Sequence, residues 1–112
     1  MESAFDSKAQ VLRIYVPERR HKDDQPVYEW IVCRACEQGI AGATILRGSG
    51  GYYMNDPVKS PDIIDLKIMC PVVIEIVDQP ERIEKFAAFL KHEIAQILMC
   101  RFSADICFSG ED

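Results

Sequence analysis

Gly42-Ala-Thr-Ile-Leu-Arg-Gly-Ser-Gly-Gly-Tyr-Tyr53 carries an apolar, β-type run straight into three glycines, with one arginine before them and two tyrosines after. No helix signal intervenes, so a strand hands its chain directly to a special loop. At Gly48, Gly50 and Gly51 a backbone without Cβ atoms can take positive φ or let another group come close. The corner is therefore either a tight turn or a cradle for a ligand.

Outward from this corner the chain reads as two similar halves. Upstream, Leu12, Ile14 and Val16 alternate with Val11, Arg13 and Tyr15, which predicts a first strand over Gln10–Val16 that Pro17 stops. Residues 1–9 have no period and are expected to be a disordered tail, leaving 10–109 as a single domain. Glu18-Arg-Arg-His-Lys-Asp-Asp24 has no apolar anchor and reads as a solvated connection or an anion-contacting loop. A helix is predicted from Asp24 or Gln25 to about Gln38, with Pro26 at its first position and Gly39 as its left-handed stop. Tyr28, Ile31, Val32 and Ala35 share its core face, which puts Trp30 roughly opposite, exposed or buried by another subunit.

Downstream, Met54 to Asp62 holds two prolines and no usable period and reads as a long functional loop. Ile63–Ile68 offers a weaker strand signal. Pro71 then introduces Val72–Val77, whose near-continuous apolar content suits the middle of a sheet. Asp78 and Glu81 have capping-box spacing, and Ile83, Phe86, Ala87, Leu90, Ile94 and Ile97 give the core face of a second helix. Phe102–Phe108, interrupted by Asp105, suits an edge strand.

The order strand, helix, strand, long loop, strand, helix, strand makes a split βαβ sandwich. This is an α+β fold with one four-stranded antiparallel sheet and two helices on one face. If Leu12, Ile14, Ile74 and Ile76 face the helices, the opposite face shows Val11, Tyr15, Val73 and Val77, with Arg13 able to reach Glu75. So apolar a face calls for a partner subunit.

Composition excludes several function classes. At 112 residues, 48% hydrophobic and 28% charged, the chain suits one globular domain, and no apolar run is long enough to span a bilayer. The formal charge of −5 argues against non-specific nucleic-acid binding, which needs Lys and Arg to neutralise phosphates. The first residues lack a basic start followed by an apolar stretch, so a cytoplasmic address is expected.

Five cysteines, an odd number, read as reduced thiols. Cys33 and Cys36 form a CxxC inside the first helix, away from the N-terminus that would lower a thiol pKa, and no second CxxC or His pair completes a zinc site. No metal site is expected; Cys33 and Cys36 would be the candidates. Cys70, Cys100 and Cys107 sit among apolar residues and suit packing as small hydrophobes. His21 and His92 read as solvated, and no acid–base or Ser/His/Asp grouping has supporting context, so the chain is not expected to be an enzyme. Tyr52 and Tyr53 could be modified, stack on a base or fill a subunit interface.

Four stretches together resemble the PII superfamily, and more closely its PII-like family of small prokaryotic proteins. They are Leu12-Arg-Ile-Tyr-Val16, Pro26-Val-Tyr-Glu29, Gly39-Ile-Ala-Gly-Ala-Thr-Ile-Leu-Arg-Gly48 and Pro71-Val-Val-Ile-Glu-Ile-Val-Asp78. The resemblance implies a ferredoxin-like βαββαβ sandwich, a homotrimer with its sheets turned inward, and effector binding in clefts between subunits. It also implies that Gly48-Ser49-Gly50 borders a phosphate site, and that the loop at 53–62 docks on a partner protein or membrane transporter.

The sequence departs from the PII pattern in having Gly51 where a basic residue follows the Gly-x-Gly. It departs again in having Ile97-Leu-Met-Cys-Arg-Phe102 where a glycine- and lysine-rich turn precedes the last strand. The expected effector is a small anion such as an adenine nucleotide. Arg47 would supply charge, Gly48, Gly50 and Gly51 backbone donors, and Lys59 with Arg19 or Arg20 would close over it. The alternatives are a metal-binding trimer using Cys33 and Cys36, or a structural oligomer without a ligand.

Overall fold

The structure, a computed structural model, describes residues 3–51 and 71–110. Strand β1 (Ser7–Pro17) is followed by the short strands β2 (His21–Lys22) and β3 (Gln25–Pro26) and by helix α1 (Val27–Glu37). Strand β4 (Gly42–Arg47), strand β5 (Pro71–Asp78), helix α2 (Pro80–Glu93) and strand β6 (Leu98–Ile106) complete the described elements. The main sheet has the order β4-β5-β1-β6 and is antiparallel throughout, the arrangement of a ferredoxin-like α+β sandwich. The expected strand at Ile63–Ile68 and the loop at 53–62 lie outside the described residues.

The two β-branched strands occupy the centre because both of their faces carry apolar side chains. Register pairs Leu12 with Ile76, Ile14 with Ile74 and Val16 with Val72, all buried beneath the helices with Phe86, Ile83, Leu90 and Ile31. The alternate residues face the other way: Val11 opposite Val77, Arg13 opposite Glu75, Tyr15 opposite Val73. Arg13 Nε donates to Glu75 Oε1 at 3.1 Å, and its guanidinium lies 5.3 Å from the centre of the Phe102 ring. β1 begins at Ser7 rather than Gln10 because its first residues pair with the end of β6, Ser7 opposite Ile106.

Several local expectations are corrected. The charged stretch after Pro17 is a β2–β3 hairpin whose turn residues Asp23 and Asp24 have φ of 52° and 64°. Two positive φ angles in a two-residue turn match the twist of the flanking strands, and Asp tolerates that region better than most side chains. Pro26 ends β3 as the N-cap, with ψ of 139°, and α1 starts one residue later than expected.

Trp30 is buried at 4% exposure within the chain itself. Its ring stacks on Phe89 of α2 at 5.9 Å and 3°, while Lys22 and Arg34 each hold a cation 5.1 Å from the ring centre. A helix wheel drawn against the sheet alone misses the flank that a neighbouring helix covers.

The helix ends follow a reciprocal scheme. Gly39, at φ 72°, stops α1: its N–H bonds to Cys36 O and that of Ile40 to Ala35 O, the paired bonds of a Schellman motif. Arg82, in the first turn of α2, donates to the carbonyls of Gln38 and Gly39. Asp78 is not the N-cap of α2, which is Gln79. Its carboxylate instead accepts from Gln79 N–H at 2.7 Å, Arg82 Nε at 2.9 Å and Ala41 N–H at 3.0 Å. α2 ends at Glu93, short of Ile97, and Arg20 and Lys22 of the hairpin region donate to the carbonyls of Ala95, Gln96 and Glu93. Cationic donors at a C-terminus satisfy orphan carbonyls and oppose the helix dipole.

Candidate effector site

β1 and β4 both run antiparallel to β5, so their C-terminal ends lie together at the start of β5. Pro17 is opposite Pro71 and Arg47 opposite Val72, which gathers Glu18, Arg47 and the glycine corner at one end of the sheet. A Cβ on Gly48 would come within 2.7 Å of Pro71 Cγ, and the Gly48 N–H donates to Pro71 O at 2.9 Å. Gly51 has φ of 148°, a conformation that favours glycine. At Gly48 the corner is thus a tight turn against β5 with its donor already used; Gly51 supplies the unusual φ.

Arg47 projects toward the helices and lies over Tyr28, its guanidinium 5.1 Å from the ring centre. Nη2 donates to the Tyr28 hydroxyl at 3.1 Å, and Nη1 pairs with the Glu18 carboxylate. Tyr28 is buried at 8% exposure in the first turn of α1, so it fixes the arginine; Arg47 and Glu18 both remain about half-exposed. The hydrogen bond with Tyr28 first, and the nearby Glu18 charge next, raise the Arg47 pKa above its ordinary value. The side chain is therefore a permanent cation, held in place by an aromatic ring and capped by a carboxylate.

The other expected site residues separate. Gly50 and Arg19 lie at the same end of the molecule, both exposed. Arg20 turns away to the end of α2, as described above, which removes it from an effector site beside Arg47. Lys59, Tyr52, Tyr53 and Cys70 lie outside the described residues.

Cys33 and Cys36 are both exposed on α1, and no group of three or more His, Cys, Asp or Glu able to hold a metal occurs among the described residues. Cys100 and Cys107 are exposed rather than packed in the core: Cys100 lies on the edge strand β6, its sulfur 3.8 Å from the Tyr15 hydroxyl, and Cys107 lies just past the end of that strand. His21 is hydrogen-bonded at 2.6 Å to the Arg19 carbonyl oxygen rather than merely solvated, whereas the His92 side chain is largely exposed.

Sequence reasoning missed Glu18 and Tyr28. The signal was the parallel relation of the first two long strands, which brings the residue after Pro17 to the end of β4. A groove of about 430 Å³ at the opposite end of the sheet is lined mainly by apolar residues, including Ala9, Val77, Ile106 and Phe108. Asp78 at its edge already has its oxygens bonded.

Comparison with known proteins places this geometry in context. The DUF190 family model, described as "Uncharacterized ACR, COG1993", matches residues 9–105. A UPF0166 protein of Aquifex aeolicus (strain VF5) is 33% identical over 84 residues, 75% of this chain and 80% of that one. A UPF0166 protein of Methanocaldococcus jannaschii is 36% identical over 78 residues, 70% of this chain and 71% of that one. The crystal structure of a "putative PII-like signaling protein" from Thermus thermophilus matches with a TM-score of 0.61 at 12% identity, covering 89% of this chain and 90% of that one. At that identity the likeness establishes the fold.

Proposed function

The chain belongs to the DUF190 family and has a PII-like fold, and from that premise we propose that it is a regulatory protein that binds a small anionic effector. The protein acts as a homotrimer with its open sheet faces turned inward. The segment 53–62 relays occupancy to a partner protein, such as a membrane transporter. The effector is a phosphate-bearing anion, an adenine nucleotide being the first candidate, and the role is binding rather than catalysis.

The observation that carries this reading is Arg47: a cation fixed on a buried tyrosine, half-exposed, at the glycine corner where β4 ends. A cation held by its neighbours loses little freedom when an anion arrives, which favours binding. The open sheet face supports the trimer, since Leu46, Leu98 and Phe102 are exposed there beside the half-buried Val11, Val73 and Val77.

Calorimetry with ATP, ADP and AMP should give heat with the wild-type protein that Arg47→Ala abolishes. A flat response to all three would remove the nucleotide reading. Light scattering at micromolar concentration should give the mass of a trimer, and a monomer would sink the assembly.

A further inference from the structure

We infer that Glu18 is a built-in counter-anion that an effector must displace from Arg47, so that this carboxylate sets the affinity threshold of the site. The inference rests on the anion-binding reading of Arg47. One nitrogen of the guanidinium is committed to the Tyr28 hydroxyl, and that ring lies beneath it, buried. A second nitrogen pairs with Glu18, which follows Pro17 directly and is exposed. The two partners therefore differ in kind: Tyr28 is a fixed support, and Glu18 is an exchangeable charge.

An incoming phosphate meets a cation already neutralised one for one and a carboxylate of like charge beside it. To use the Nη1 edge of Arg47 it must take the place of Glu18, and that cost is common to every anion that does so. Glu18 thus lowers all such affinities by a common factor and leaves their ranking to the rest of the ligand. Because both partners are half-exposed, the pair is of the weak surface type, and the factor is about two- to fivefold.

Displaced from Arg47, Glu18 is freed at the start of the segment whose Lys22 donates to the last carbonyl of α2 and whose Arg20 donates to Ala95 just beyond it. Anion occupancy at Arg47 is thus two residues along the chain from a side chain hydrogen-bonded to the segment that follows α2.

The test is calorimetry of the full chain with ATP and with tripolyphosphate, comparing wild type, Glu18→Gln and Glu84→Gln. The last removes the same charge from a surface pair with Arg101 at the opposite sheet edge. Glu18→Gln should bind both probes about two- to fivefold tighter, by a similar factor for each, while Glu84→Gln matches wild type. Heat seen only with Glu18→Gln supports the threshold as well. Equal affinity of wild type and Glu18→Gln overturns the inference and leaves the Arg47 site standing. Weaker binding by Glu18→Gln overturns it by making Glu18 a ligand contact. No heat with either protein overturns the anion site and the inference together.

Discussion

At the scale of single residues, the close approach of two backbones governs what the glycine corner tolerates. A methyl group at residue 48 would sit 2.7 Å from Pro71 Cγ, part of a rigid ring that cannot swing aside. Gly48→Ala should therefore cost about 1–3 kcal/mol, as overpacking does. Gly42→Ala, whose Cβ would meet nothing within 4 Å, should be neutral or slightly stabilising because it limits the unfolded chain. Urea unfolding of the two variants checks the contrast, and equal midpoints would contradict it.

Arg47 behaves differently, since its worth is electrostatic. Its folded-state pKa is raised, so any stability it adds is fully present below the ordinary arginine range and is lost only as pH climbs beyond it. Salt, rather than physiological pH, is the variable that weakens this cation. That residue 48 must be special was legible from the glycine spacing; that the reason is Pro71, distant in sequence, was not.

At the scale of elements, the chain leaving the C-terminus of each helix is held by a basic side chain from the other half of the molecule. Arg82 on α2 holds the end of α1, and Arg20, between β1 and α1, holds the residues that follow α2. Helical periodicity shows the faces that such helices bury but is blind to these long-range caps, which is why Arg20 read as a loop cation free for a ligand. Arg20→Ala should lower stability by about 1 kcal/mol, the scale of a lost charged hydrogen bond at an exposed end, and leave ATP affinity unchanged. Parallel urea and calorimetric titrations measure both, and a loss of binding without a loss of stability would return Arg20 to the site. Trp30 teaches the same point about packing: Phe89 on the adjacent helix and the cations of Lys22 and Arg34 lie against its ring.

At the scale of the whole molecule, the sheet has one face sealed by helices and one apolar face in which Arg13 and Glu75 pair across the two central strands. The hydrogen bond to Glu75, and then that with Tyr15, raise the Arg13 pKa, so the guanidinium stays charged and hydrogen-bonded within its apolar surroundings. Val73→Asp puts an unpaired carboxylate on that face and should convert the proposed trimer to monomer by light scattering while far-ultraviolet circular dichroism is retained. An unchanged trimer would place the interface elsewhere.

The sequence by itself determined the ferredoxin-like order of elements, the central position of Val72–Val77 and the Arg13–Glu75 pairing. Alternation and helical period encode which face of each element is apolar, and an antiparallel strand pair in register leaves little freedom beyond that. Only the tertiary structure decided what lies around Arg47. Glu18 and Tyr28 reach it from other elements, Arg20 is drawn to the end of α2, and the Gly48 donor is taken by Pro71. Such partners are chosen by distances in space that no local period records.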